Sequence, residues 1–378
     1  MKRRDFLKYA VTLPVLGYTK DIRPKGNSVL VMVELSGGND GLNTLIPYSE
    51  PLYYSLRPSI AIPTKDILKI SKSVGLHPSL KEMFDIYNKG ELAIVQGLGY
   101  PHPILSHFRS IEIWNRAESY NDYFPNGWLS TLRPFGHNII KGVVTGGSFG
   151  PLEGMMDTIM LNSIDRFVSW ARVSEGRVYM QSNKPFIDKI ISIDRDIQMS
   201  AKLLKENRFK NSKPKYPFPK SQIGREFEIV WKIVCGDSGV SYIKVLQGGY
   251  DTHINQKPIQ KRLLSDLSKS ISILRKNLIL CRKWSDILVA TYSEFGRRVE
   301  QNANGGTDHG TANVHFVTGG RVKGGLYGKY PSLKHLDKNG NLIYTTDFRS
   351  YYNTIAKDFL HRHSHRVAKF EKLGFIKS

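Results

Sequence analysis

Five places in this chain put carboxylates, imidazoles or a hydroxyl where the backbone is about to turn. Asp40 sits in Ser36-Gly37-Gly38-Asn39-Asp40-Gly41, and Ser106-His107 follows a Gly/Pro-rich turn. Asp251 and His253 end the run Gln247-Gly248-Gly249-Tyr250-Asp251-Thr252-His253. Glu294 lies in Ser293-Glu294-Phe295-Gly296, and Asp308-His309 lies in a polar, Gly-rich loop. Carboxylate and imidazole donors gathered in this way suit a divalent metal ion, and a serine held beside such a centre suits a nucleophile. Asp251 and His253 are two residues apart, so on an extended backbone their side chains share a face and can reach one ion. Each residue also has an ordinary use, Asp40 in an Asx turn and Ser106 as a helix N-cap. The recurrence of one pattern is what argues for a joint site.

Buried strands must deliver these groups. Ser28–Leu35, Glu91–Gln96, Val240–Leu246, Ile287–Tyr292 and Val314–Val317 are short apolar runs, the pattern of strands covered on both faces. Their C-terminal edges are where an open α/β sheet collects ligands. His77-Pro78 opens an expected helix to Lys89, and Pro258–Leu280 reads as a long amphipathic helix with Ile271, Leu274 and Leu278 in the core. A last helix is expected from about Tyr344 to Leu360, with Thr or Asp as its cap and Asp347 and Arg349 at its start. Thr44–Ile62 reads as loop, and Gly324–Gly328 as a turn. Residues 115–220 hold a candidate inserted cap or lid, with helical character over Val178–Leu204 and an exposed Lys/Pro-rich connection over Phe209–Lys220. The basic tail, residues 361–378, with His361, His363 and His365, reads as a solvated surface segment.

The 378 residues can bury a full core, as one large α/β domain or a domain with an insertion. Lys and Arg number 55 against 33 Asp and Glu, a formal charge of +22 that favours anionic partners. The lysines are scattered and no basic-aromatic module appears, so nucleic acid is not an expected partner. Cys235 and Cys281 form no metal-binding spacing; buried thiols and a disulfide are both open. Lys2-Arg3-Arg4-Asp5-Phe6-Leu7-Lys8, followed by apolar Ala10–Tyr18, resembles a bacterial twin-arginine signal within residues 1–20. The alternative is a basic amphipathic N-terminal helix. The apolar run is too short to span a bilayer and lacks an A-x-A site, and no later stretch is long and apolar enough to cross one. A periplasmic or extracellular location and passage through the twin-arginine machinery are therefore expected.

Taken in order, SGGNDGLNTLIPY, GLHPSL, SHFRS, GGYDTHINQ, YSEFGRRV, GGTDHGTAN, GGRVKGGLYG and TTDFRS resemble the exported bacterial family called domain of unknown function 1501, over Val29 to about Leu360. That family looks like a branch of the alkaline-phosphatase-like superfamily of phosphatases, sulfatases and phosphomutases. The resemblance implies an α/β fold over residues 28–360, a mostly parallel central sheet with helices on both faces. It further implies one or two divalent ions (Zn, Mn, Ca or Mg), with Asp40, Asp251, His253, Glu294, Asp308 and His309 as metal ligands. Ser106 or His107 would stand at the reacting position. Phe295 departs from that pattern, standing where a His is expected, so a ligand is lost unless His107 or Asp308 supplies it. The lack of a Cys-x-Pro-Ser-Arg context argues against a formylglycine sulfatase. Two functions follow: metal-dependent hydrolysis of a phosphate or sulfate ester on an anionic small molecule or glycan, or non-catalytic binding of an anionic glycan or envelope component.

Overall fold

Strand β1 (Val29–Leu35) is buried along its whole length, and its side chains alternate between two cores. Val29, Val31 and Val33 enter one with Leu80, Met83, Leu264, Leu267, Ile271 and Phe227, from helices that cover that face. Leu30 and Met32 enter the other with Ile113, Trp114, Tyr351 and Tyr352. A strand apolar at nearly every position fits only between two covered faces, which is why β1 became the middle of the sheet. The computed structural model describes residues 28–132, 140–171 and 212–377, with isolated positions between 184 and 202. The expected signal at 1–20 and most of Val178–Leu204 lie outside the described residues.

The other strands are β2 (Leu45–Ile46), β3 (Leu68–Lys69), β4 (Gly75–Leu76), β5 (Leu92–Gly99), β6 (Gly142–Val144), β7 (Thr158–Met160), β8 (Tyr242–Gln247), β9 (Ile287–Tyr292), β10 (Asn313–Thr318), β11 (Gly325–Tyr327) and β12 (Thr346–Asp347). The central sheet runs β11-β5-β10-β9-β1-β8-β6-β7, with β12 also on β5, while β2, β4 and β3 make a small separate sheet. β1 pairs in parallel with β8 and β9, and β6 in parallel with β8 and β7. Within the central sheet, among the described residues, only β10 runs against its neighbours, β5 and β9. This is the expected α/β class, a mostly parallel sheet covered on both faces.

Direction decides what reaches the sheet edge. β1, β5, β8 and β9 run the same way, so the segments that follow them, carrying Asp40, Ser106-His107, Asp251-His253 and Glu294, leave at one edge. Because β10 is antiparallel, the segment before it reaches that edge, and this segment carries Asp308-His309. Helix Gln256–Leu280 packs Leu263, Leu264, Leu267, Ile271, Leu274 and Leu278 inward at helical spacing, as its sequence predicts. Cys235 ends helix Gln222–Cys235 and Cys281 follows Leu280; they form a disulfide with Cα atoms 5.9 Å apart.

Three expectations are corrected. Gly324–Gly328 is not merely a turn, since β11 within it pairs with β5. Thr44–Ile62 contains β2 and helix Pro51–Ser55, with Tyr53 fully buried. Within residues 115–220, β6 and β7 extend the central sheet beyond β8. The tail after Leu360 is not simply solvated: Val367, Phe375 and Ile376 join the second core and Val322 bridges Ile376, although His361, His363 and His365 stay exposed. Isolated apolar residues in a basic background conceal such packing.

Candidate metal centre

Three imidazoles and one carboxylate converge at the sheet edge. His107 is the first residue of helix His107–Arg116, His253 and Asp251 lie on the loop after β8, and His309 lies on the loop before β10. His107 Nδ1 is 2.8 Å from Glu294 Oε1, His253 Nδ1 is 3.1 Å from Asp308 Oδ1, and His309 Nδ1 is 2.8 Å from the Leu105 carbonyl. Carboxylate and carbonyl oxygens only accept, so each Nδ1 carries the proton and each neutral ring has its lone pair on Nε2. Those Nε2 atoms face inward. His253 Nε2 is 3.1 Å from His309 Nε2; Asp251 Oδ1 is 3.0 Å from the first and 3.3 Å from the second. His107 Nε2 is 3.5 Å from Asp251 Oδ2 and is a buried nitrogen without a hydrogen-bond partner.

Lone pairs held this close repel unless a cation lies among them. Separations of 3.0–3.3 Å among His253 Nε2, His309 Nε2 and Asp251 Oδ1 also match the roughly 3.3 Å spacing of ligand atoms around an ion whose bonds are about 2.05 Å, the usual zinc–nitrogen distance. His107, Asp251 and His309 each place a donor atom within 4.8 Å of the others. The donor set therefore fits a divalent ion.

Electrostatics agree with this fit. Burial lowers the His309 pKa, which keeps its Nε2 unprotonated near neutrality. The Glu294 hydrogen bond raises that of His107, the basicity a carboxylate partner gives a ligating imidazole. Burial pushes Asp251 up, but the Arg297 hydrogen bond and charge outweigh it and hold the carboxyl below its ordinary value. The His253 hydrogen bond likewise lowers Asp308. Three carboxyl groups, those of Asp251, Glu294 and Asp308, stand here against the single Arg297 guanidinium, a balance that favours a cation among them.

The surrounding backbone is fixed by Arg297, which is 1% exposed. Its Nε donates to Gly38 O at 2.8 Å, Nη1 to Thr307 O at 2.9 Å, and Nη2 to Gly37 O, to Tyr250 O at 3.0 Å and to Asp251 Oδ1 at 2.6 Å. One side chain thus ties together the segments after β1, β8 and β9 and the segment before β10. Gly37 and Gly38 have positive φ, and an added Cβ would lie 2.3 Å from Asp251 N and 2.5 Å from the Phe295 ring respectively. The close approach of β1's exit to both groups requires glycine. Phe295 is buried, with its ring centroid 4.9 Å from that of His107 and 4.6 Å from that of His309.

The expected site residues fall into three groups. Asp251, His253 and His309 come together, and His107, expected at the reacting position, joins them as a donor. Glu294 and Asp308 are at the centre but their oxygens hold imidazole Nδ1 atoms; Glu294 Oε1 also accepts from Gly37 N at 2.8 Å. Asp40 is placed elsewhere. Its Oδ1 accepts from Leu42 N at 3.1 Å and Asn43 N at 3.4 Å, and its Oδ2 from Gln256 and, at 2.5 Å, from buried Arg57. With both oxygens occupied and a guanidinium as counter-ion, Asp40 is a capping and ion-pair residue here, which corrects its reading as a ligand. Ser106 stands at the N-cap of helix His107–Arg116, exposed, with no side-chain cap bond. Its neighbours Leu105 and His107 both hold parts of the cluster. Arg297 and Arg57 were not foreseen; only the Arg-Arg of YSEFGRRV hinted at the first.

Most of these groups fall within the match to one family. Residues 232–355 match the model of the family described as protein of unknown function DUF1501. A search of curated proteins returned no match. Among solved structures, the chain is similar to the C-terminal periplasmic domain of EcEptC from Escherichia coli in complex with Zn, at 8% identity and a TM-score of 0.37, covering 90% of this chain and 84% of that one. It is similar to the lipoteichoic acid synthase LtaP from Listeria monocytogenes, at 10% identity and a TM-score of 0.31, covering 80% and 68%. A third is the PsFucS1 sulfatase from Pseudoalteromonas sp., at 11% identity and a TM-score of 0.35, covering 87% and 66%.

Proposed function

We propose that this DUF1501 protein is an exported, metal-dependent hydrolase of a phosphate or sulfate ester. The observation that carries the reading is the convergence of three Nε2 lone pairs on Asp251, each imposed by an acceptor on the far side of its ring. A set rich in imidazole favours zinc or a similar transition ion over calcium or magnesium. His107, Asp251, His253 and His309 hold it, and Glu294, Asp308 and Leu105 O orient the rings. A divalent ion bound there supplies Lewis acidity to an ester oxygen. The Asp251 and His253 side chains are 47% and 42% exposed, so the centre keeps a solvent-facing side where an anion can enter.

Ser106 is the nucleophile in this reading. Its hydroxyl is not spent on capping, and the first backbone N–H groups of the following helix favour negative charge beside it. Arg297 keeps Asp251 ionised and in place. Export is supported by the twin-arginine-like start of the sequence and by the disulfide, which persists in oxidising compartments. No helix among the described residues is long and apolar enough to cross a membrane.

The test is elemental analysis of protein purified with zinc and manganese available, beside the Asp251→Asn, His253→Ala double variant, followed by a screen of phosphate and sulfate esters. Stoichiometric metal lost in the variant, with ester turnover abolished by chelation, is expected. Unchanged metal content in a folded variant would refute the ligand assignment. Bound metal without turnover of any ester would favour the binding role for an anionic glycan.

A further inference from the structure

Beside the metal centre lies a second concave feature of different chemistry. A cleft of about 150 Å³ is walled by Tyr100, Trp114, Phe295, Leu342, Ile343 and Tyr344. Phe295 is the shared wall, for its ring also contacts the rings of His107 and His309. The cleft is open at Ile343, which is 48% exposed, and closed at Tyr100 and Trp114, which are 3% and 1% exposed.

Its polar lining groups are already engaged. Tyr100 Oη is 2.9 Å from Ser110 Oγ, and Thr311 Oγ1 donates to Leu342 O. The Asp337 carboxylate accepts from Asn339 N at 2.9 Å and from Asn341 N at 2.8 Å and Nδ2 at 3.1 Å. Trp114 Nε1 is the one buried polar side-chain atom of the lining without a partner.

We propose that this cleft binds an apolar, ring-sized group, and that it takes the aromatic or similarly apolar end of a ligand whose anionic end the histidine centre holds; the second half of this statement rests on the function proposed above. The size supports a single ring, because an apolar cavity of roughly 150 Å³ accommodates benzene. The lining argues against a sugar. Most of a sugar's several hydroxyls would lack a partner there, each at a cost of about 1–3 kcal/mol, whereas an aromatic ring stacks on Phe295, Tyr344 or Trp114 without that loss. A ligand reaching from cleft to metal must pass Phe295, so ring and anion are separated by several bonds.

The experiment is ligand-observed NMR with the full-length protein, using phenol, benzene and methyl glucoside as probes and following the Trp114 indole N–H resonance. Ile343→Glu narrows the mouth at an exposed position, and its circular dichroism checks the fold. Phenol should bind, shift the Trp114 signal, weaken at least about tenfold in Ile343→Glu, and bind equally well after chelation. Preference for methyl glucoside, or phenol binding unaffected by Ile343→Glu, would overturn the proposal. The two readings fail separately. Intact metal uptake without phenol binding rejects the cleft and leaves the hydrolase; phenol binding without metal uptake rejects the metal centre and leaves the cleft.

Discussion

Glu294→Gln isolates the link between the sheet and the metal centre. Glu294 is 3% exposed, and its Oε1 accepts from His107 Nδ1 and from Gly37 N, each at 2.8 Å. Glutamine keeps the volume and can present its carbonyl to both donors, while its amide N–H can meet Ser293 Oγ, which is 3.1 Å from Oε2. Shape therefore survives and the negative charge is lost. Removing the partner of a ligating imidazole typically costs 10–100-fold in metal affinity, about 1.4–2.7 kcal/mol. Since one acceptor remains, the loss should fall near about 10–30-fold, with Glu294→Ala nearer the upper limit. Zinc affinity measured by competition with a chromogenic chelator at pH 8 reads this directly. The pH dependence has a definite sign. The Glu294 hydrogen bond raises His107's pKa, so in the wild type a proton competes with metal at higher pH than in the variant. The gap between the two should narrow as pH falls from 8 toward 5.5. Equal affinities at pH 8, or a gap that widens on acidification, would refute the role given to Glu294.

Other perturbations separate structure from chemistry. Arg57→Met leaves Asp40 buried without its guanidinium and should cost about 3–5 kcal/mol in denaturant unfolding. Metal stoichiometry of the folded variant should be unchanged; loss of metal at normal stability would return Asp40 to the ligand set. Ser106→Ala should bind metal with wild-type affinity but turn over esters about a thousandfold or more slowly, and turnover at the wild-type rate would remove Ser106 as nucleophile. The Cys235→Ser, Cys281→Ser double variant opens a loop with a sequence separation of 46, for which chain entropy gives about 4 kcal/mol of lost stability. A thermal midpoint within a degree of wild type would show that the reduced chain is already restrained.

The sheet was legible in the sequence because its strands are continuous apolar runs, a pattern that survives without knowledge of tertiary partners. The turn residues also marked the right edge. What the pattern did not specify is which atom of each group faces the centre. Glu294 and Asp308 look like ligands by type and position, yet their oxygens point at imidazole Nδ1 atoms; only the distances to those rings reveal this. Asp40 is a strand-end carboxylate like the others, but Arg57 reaches it from 17 residues away, and nothing local announces that pairing. Arg297 and Arg298 are neighbours of identical chemistry, and the fold buries the first while the second reaches Asn339 O. The cleft walls come from four separate segments and have no sequence signature at all.

If the proposed ligands hold an ion, the backward course of β10 bears on when the protein acquires it. The donors stand at 107, 251, 253 and 309, so an unfolded chain offers only Asp251 and His253 as a local pair. The remaining donors are far apart in sequence and meet only where β1, β8, β9 and β10 are paired. On the proposed function, ion capture would then serve as a timestamp on sheet assembly. Whichever side of the membrane hosts that assembly sets the mixture of ions from which the protein chooses.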